Sequence, residues 1–172
     1  GGVPRGLRGT AIPFHYNDFE ELQSIVEKNP DLAAVKMEVC RNFGPENNFL
    51  EKVRNLCTER GIVLIFDECT SGFRETFGGL YLKYGVEPDM AIYSKTLGNG
   101  YDICAVVGRK DIMEAAQGSW ISSTFWTERI GPTAALAALR VMEKTKSWEY
   151  ITKIGKQNKV RWQALADKYG LK

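Results

Sequence analysis

One stretch constrains the fold more than any other: five apolar residues that stop at two carboxylates, Ile62-Val63-Leu64-Ile65-Phe66 followed by Asp67-Glu68. The run is rich in β-branched side chains and does not alternate with polar ones. Such a stretch predicts a central parallel strand covered on both faces. Helical patterns flank it. Asn17 or Asp18 can cap a helix reaching Lys28, with Phe19, Leu22, Ile25 and Val26 at three- and four-residue spacing, and Asn29-Pro30 ends it. Asn47 or Asn48 can cap a second helix, with Leu50, Val53, Leu56 and Cys57 on one face and Gly61 at its stop. Between these helices, residues 33–39 form a short apolar run that predicts another strand.

Downstream, residues 90–93 and 103–107 read as strands, with a helical turn predicted at 80–84. The gap between the two strands is too short for a crossover helix, which needs about a dozen residues. The second strand is therefore expected to run antiparallel in an otherwise parallel sheet. Helices are predicted over 111–117, 128–144 and 148–169, with Pro132 acceptable only in a first turn. Residues 1–15 read as loop. The alternation of strands and helices predicts an α/β fold, a mostly parallel sheet with one antiparallel strand and helices on both faces.

Composition narrows the function. A chain of 172 residues allows one domain. Its 23 Lys+Arg against 21 Asp+Glu give a net charge of +2, so no basic field points to nucleic acid or an anionic membrane. No apolar run approaches the ~20 residues that span a bilayer, and residues 1–8 carry no hydrophobic signal core. A single histidine, His15, excludes a His-rich metal site, and no metal is expected. Four cysteines lack CxxC spacing. Three lie in apolar segments and read as buried thiols of a reduced, cytoplasmic protein.

Two residues stand out chemically. Asp67 follows a buried strand at once, and ligands of open α/β sheets gather at strand carboxyl ends. A carboxylate there can fix a cation or a protonated ring nitrogen, or cap a helix. Lys95, in Ser94-Lys95-Thr96-Leu97-Gly98-Asn99-Gly100, opens a loop of small residues after the next strand. A desolvated lysine there can act as a nucleophile on a carbonyl, whereas most lysines are simply solvated. Together the pair supplies the two protein groups that pyridoxal phosphate chemistry needs, an amine for the aldehyde and a carboxylate for the ring nitrogen.

At these residues the chain resembles a known family. Leu64-Ile65-Phe66-Asp67-Glu68-Cys69-Thr70-Ser71-Gly72-Phe73-Arg74 is similar to the LIFDE-x-x-x-GFR segment of class III aminotransferases, especially glutamate-1-semialdehyde aminomutase-like members. Gly85-Val86-Glu87-Pro88-Asp89 and the Lys95 segment resemble further motifs, and the 28-position spacing of Asp67 and Lys95 also matches. The resemblance implies a fold-type I PLP-transferase large domain and pyridoxal 5′-phosphate as cofactor. Lys95 would take the aldehyde as a Schiff base and shuttle a proton, and Asp67 would pair with the ring nitrogen. Cys69 would pack on the ring, and Thr70 would lie near its 3-hydroxyl. Thr124, in Ser122-Ser123-Thr124-Phe125, would reach the cofactor phosphate of a neighbouring subunit, or the Ser/Thr cluster would cap the following helix. Glu38 resembles a motif glutamate whose usual following proline is Val39 here.

The implied partners are a small-molecule amino donor, a keto or aldehyde acceptor, and a second copy in a homodimer. The implied reaction is amino transfer, between molecules or within one. Residues 1–145 would be part of the cofactor-binding domain, with 146–172 leading toward a small C-terminal domain. Only 94 residues precede Lys95, and neither a phosphate loop nor a ring-stacking aromatic is recognisable among them. The chain therefore reads as an internal piece, inactive by itself. A non-catalytic module that keeps the fold is the rival reading; a nicotinamide enzyme lacks its GxGxxG. Trp120 and Trp126 read as packing residues, Arg74 as an ion-pair or substrate residue, and 143–172 as a solvated helix face.

Overall fold

The computed structural model describes residues 4–171. Of the stretch read as loop, residues 1–3 lie outside the described residues, and Arg5–Leu7 form one 3-10 turn. Helix α1 (Phe19–Lys28) starts at Asp18, whose carboxylate accepts the Glu21 N–H at 2.9 Å. Strand β1 (Ala34–Met37) follows, then helix α2 (Phe49–Arg60). Neither asparagine caps α2 with its side chain, contrary to expectation. Asn47 and Asn48 both take left-handed φ angles, 51° and 57°, so they make the turn into the helix instead. Gly61 does end α2, at φ 66°, where its N–H reaches the last carbonyls.

Strand β2 (Val63–Asp67) is central. It pairs in parallel with β1, Lys36 opposite Ile65, and in parallel with β3 (Met90–Tyr93), Phe66 opposite Ala91. Strand β4 (Ala105–Gly108) runs antiparallel to β3, as the short connection requires. The sheet order is β1-β2-β3-β4.

The pleat divides the sheet into unlike faces. Val35, Met37, Leu64, Phe66, Ala91 and Tyr93 point to one face and are buried. Helices α1 and α2 supply Leu22, Val26, Phe49, Leu50 and Val53 to that core. Each fully buried Leu or Phe there contributes about 1.5–3 kcal/mol relative to exposure. Val63, Ile65, Asp67, Met90 and Ile92 point the other way and are only half-buried. The expectation that the central strand is covered on both faces therefore holds on one side. Among the described residues, the short helix α3 (Lys110–Met113) lies on the other side, with Met113 over Gly108 and Met90. Helices thus flank both faces of the α/β sheet, unevenly.

A 3-10 turn over Glu114–Gly118 follows where a helix to 117 is predicted. Helix α4 (Ile130–Thr145) places Pro132 in its first turn, where its missing N–H costs nothing. Its cap is Glu128, which accepts from the Ile130 and Gly131 N–H groups, rather than the Ser/Thr cluster. Ala135 joins a second cluster with Ala91, Tyr93 and Leu97. Helix α5 (Ser147–Tyr169) buries no residue, in keeping with a solvated helix. Its start is pinned by Trp148 against Phe77, ring centroids 5.2 Å apart. Trp120 and Trp126 are 95% and 64% exposed, so neither packs on this chain as expected. Of the cysteines read as buried, only Cys57 is; Cys40 and Cys69 are partly covered, Cys104 is exposed, and all four are free.

Candidate active site

The parallel strands end together, and their carboxyl ends carry the chemistry-bearing residues. Asp67 closes β2. Its Oδ1 accepts the Cys69 N–H at 3.1 Å, and its Oδ2 accepts the Lys36 ammonium at 2.7 Å. Partial burial opposes ionisation of this carboxyl, but the Lys36 and Cys69 hydrogen bonds outweigh it and hold Asp67 below the usual carboxylate range. The same bond raises Lys36 above an ordinary lysine. Cys69 is pushed up by burial and then by the neighbouring Asp67 charge, so its thiol stays protonated and behaves as a small polarisable surface.

Lys95 lies two residues beyond β3 and has φ 23°, a positive value for a residue with a side chain. Residues held so cost roughly 1–3 kcal/mol and gather at functional sites. The turn that follows is closed by Leu97 N–H to Ser94 O at 2.7 Å and Asn99 N–H to Lys95 O at 3.2 Å. Gly98 is required there, because a Cβ would sit 2.0 Å from the Tyr101 carbonyl oxygen. The Lys95 ammonium donates to the Thr70 hydroxyl at 2.7 Å. The structure thus links Asp67, Cys69, Thr70 and Lys95 through one short loop and one hydrogen bond.

Glu68 fixes that loop from beneath. It is 1% exposed. Its Oε2 accepts the Ser71 hydroxyl at 2.5 Å and its Oε1 the Tyr81 N–H at 3.1 Å, while its own N–H donates to Ile92 O at 2.9 Å. Among the described residues Arg74 pairs with no carboxylate; its Nε donates to the Thr70 carbonyl at 2.6 Å, which also steadies the loop. Glu38 takes the Arg41 guanidinium at 2.8 Å. Thr124 is exposed, in the turn before α4, and makes no hydrogen bond to the Lys95 cluster among the described residues.

Two residues escaped sequence reasoning. Lys36 is the only charge within the apolar stretch 33–37, a signal that could have marked it. Asp89, just ahead of β3, accepts Arg54 and Arg109 guanidinium N–H groups, each at 2.9 Å, and the Leu64 N–H at 2.8 Å. A concavity of about 760 Å³ lined by His15, Asp18, Phe49 and Lys52 contains none of the residues of the Lys95 cluster.

The Aminotransferase class-III family matches residues 11–172. This chain is a class-III aminotransferase family member. It is 37% identical over 157 residues to a glutamate-1-semialdehyde 2,1-aminomutase of Nitrosopumilus maritimus, covering 87% of this chain and 37% of the relative. It is 34% identical over 165 residues to a 3-aminobutyryl-CoA aminotransferase of Cloacimonas acidaminovorans, covering 91% of this chain and 40% of the relative. Among solved structures, the PLP internal aldimine form of the Sphingopyxis sp. MTA144 FumI protein superposes at a TM-score of 0.92 and 25% identity, covering 99% of this chain and 43% of that one. The chain therefore spans about two fifths of the length of these relatives.

The fold is that of the fold-type I PLP-dependent aminotransferases, and the cofactor of the family is pyridoxal 5′-phosphate. The donor set here fits that group: an ionised strand-end carboxylate for a ring nitrogen and, one loop away, a primary amine for an aldehyde.

Proposed function

We propose that this chain carries the lysine and the aspartate of a PLP-dependent enzyme that moves an amino group onto a keto or aldehyde carbon. The observation that carries the reading is the Asp67–Cys69–Thr70–Lys95 cluster at the sheet's carboxyl end, with the bond from Lys95 to Thr70 at 2.7 Å. When bound, the cofactor supplies a ring that accepts the electrons of a substrate carbanion. Lys95 would hold its aldehyde and would carry the proton at the substrate Cα. Its amine rests on the Thr70 hydroxyl, aimed rather than swinging free. Asp67 would favour a protonated ring nitrogen through its negative charge. Cys69 would pack on the ring, and Thr70 would offer its hydroxyl near the ring's 3-hydroxyl. Thr124, exposed on its turn, offers a hydroxyl to the cofactor phosphate of a second copy, so the working assembly is a homodimer with the site at the interface.

Residues 1–145 belong to the cofactor-binding domain, and 146–172 lead toward a small C-terminal domain; within that range Lys172 lies outside the described residues. The four free cysteines fit a reducing cytoplasm. By itself the 172-residue chain lacks a recognised phosphate loop and turns over little or nothing. Transfer between two molecules and transfer within one use the same protein groups.

Product analysis on the full-length protein that contains this chain tests the reading. Amine donor and carbonyl acceptor are supplied with cofactor to the wild type and to Lys95→Ala. A Lys95-dependent keto product means intermolecular transfer, and an isomeric amino product means intramolecular transfer. Unchanged biological role in the Lys95→Ala protein would favour a non-catalytic module.

A further inference from the structure

Lys36 occupies a position that the proposed chemistry does not explain. The register sets it opposite Ile65, on the face that carries Asp67 two residues further along β2. Its Nζ lies 2.7 Å from Asp67 Oδ2, across 31 positions of sequence. Side-chain exposures are 55% for Lys36 and 23% for Asp67, so the pair stands at the half-covered face where the site opens. The other oxygen of Asp67 is taken by the Cys69 N–H at 3.1 Å. Both oxygens are therefore engaged within the chain itself. An ionised carboxylate offers roughly four acceptor directions, so a third donor can join without evicting either. A ring nitrogen placed on Asp67 would share it with an ammonium.

The sharing has a direction. An opposite charge within about 4–6 Å stabilises the ionised carboxylate. Each cation on that carboxylate lowers its basicity toward the other. Glu38, one residue past β1, holds Arg41 at 2.8 Å and adds only a weaker electrostatic pull on Lys36, whose direct hydrogen bond is to Asp67. Among the described residues, the other titratable groups near the pair are Glu38 beside Lys36, the Cys69 thiol beside Asp67 and, beyond it, Cys104, with Lys95 on the far side of Thr70.

We propose that Lys36 is a positioning residue that shares the Asp67 carboxylate with the ring nitrogen of the bound cofactor and so loosens that nitrogen's hold on its proton. This rests on the reading of Asp67 and Lys95 above. It makes the site a tempered electron sink, in which the ring is protonated less firmly than a lone aspartate would secure.

The test uses the full-length protein loaded with pyridoxal phosphate labelled with 15N in the ring, and follows the ring-nitrogen chemical shift against pH. In Lys36→Met the nitrogen is expected to lose its proton about one pH unit higher than in wild type. Lys36→Arg, which keeps the charge, should titrate with wild type. Coincident curves for wild type and Lys36→Met, or a downward shift, would overturn the proposal. Asp67→Asn separates the two levels. If it leaves the ring nitrogen unprotonated while Lys36→Met changes nothing, only the role of Lys36 fails. If Asp67→Asn has no effect on the ring signal, the reading of the site fails and the Lys36 proposal falls with it.

Discussion

Asp89, ahead of β3, and Asp67, at the end of β2, sit at opposite ends of one sheet and are held in different ways. Asp89 has a side chain 5% exposed and is gripped by two guanidiniums and the Leu64 N–H. Arginines are charged at every accessible pH; Arg109 takes Oδ1 while Arg54 and the Leu64 N–H take Oδ2, so three of roughly four acceptor directions are filled. Asp67 is 23% exposed and holds one lysine on a flexible stem and one backbone N–H. The difference teaches how to tell a structural carboxylate from a working one on a single sheet. Both lie below the ordinary carboxylate range, each pushed up by burial and pulled down further by its partners, so the shift alone does not discriminate. The partners and the remaining acceptor capacity do.

Substitution should split the two ends. The largest effect is functional: Asp67→Ala in the full-length protein should lower amino-transfer turnover roughly 10²-fold or more, while its melting temperature barely moves, because an exposed ion pair contributes about 0–1 kcal/mol. Comparable turnover would remove the distinction. Next, Asp89→Ala should destabilise the fold by about 3 kcal/mol in denaturant melts, since it strands a buried N–H and uncouples Arg54 and Arg109. A loss like that of an exposed pair would show that the amino end is not structural.

The same comparison extends to pH. A carboxyl whose folded value is depressed stabilises the fold above its ordinary value, 3.8 here, and loses that contribution as pH falls through the folded value. Acid unfolding should therefore steepen below about pH 4 and flatten in Asp89→Asn. A smaller effect is expected at Glu68, which belongs to the carboxyl end but is buried like Asp89. Glu68→Gln should cost about 1–2 kcal/mol, because an amide cannot accept from both Ser71 and Tyr81 with the same strength.

What the sequence made legible follows from the range of its signals. The strand at 90–93 and the antiparallel partner after it come from local hydrophobicity and a connection too short for a crossover, and both are as expected. The Gly61 stop and the first-turn Pro132 are likewise set by one residue's own backbone. The contact of Lys36 with Asp67 spans 31 positions and depends on strand register, which no local pattern reveals. Which face of β2 is covered depends on where helices land. The same holds for Trp120 and Trp126, whose apolar character predicts burial but which the fold leaves 95% and 64% exposed. At the site, Asp67 and Lys95 were legible as strand-end residues; their link through Thr70 was not.

The most direct test of the central claim, that the carboxyl end is the working end, is covalent mapping of the cofactor. The full-length protein is incubated with pyridoxal phosphate, reduced with borohydride, digested and weighed by mass spectrometry. The cofactor mass should fall on the peptide containing Lys95, be lost in Lys95→Ala and be weakened in Asp67→Ala, with Asp89→Asn labelled like wild type under folding conditions. Label spread over other lysines, or unchanged in Lys95→Ala, would contradict the account.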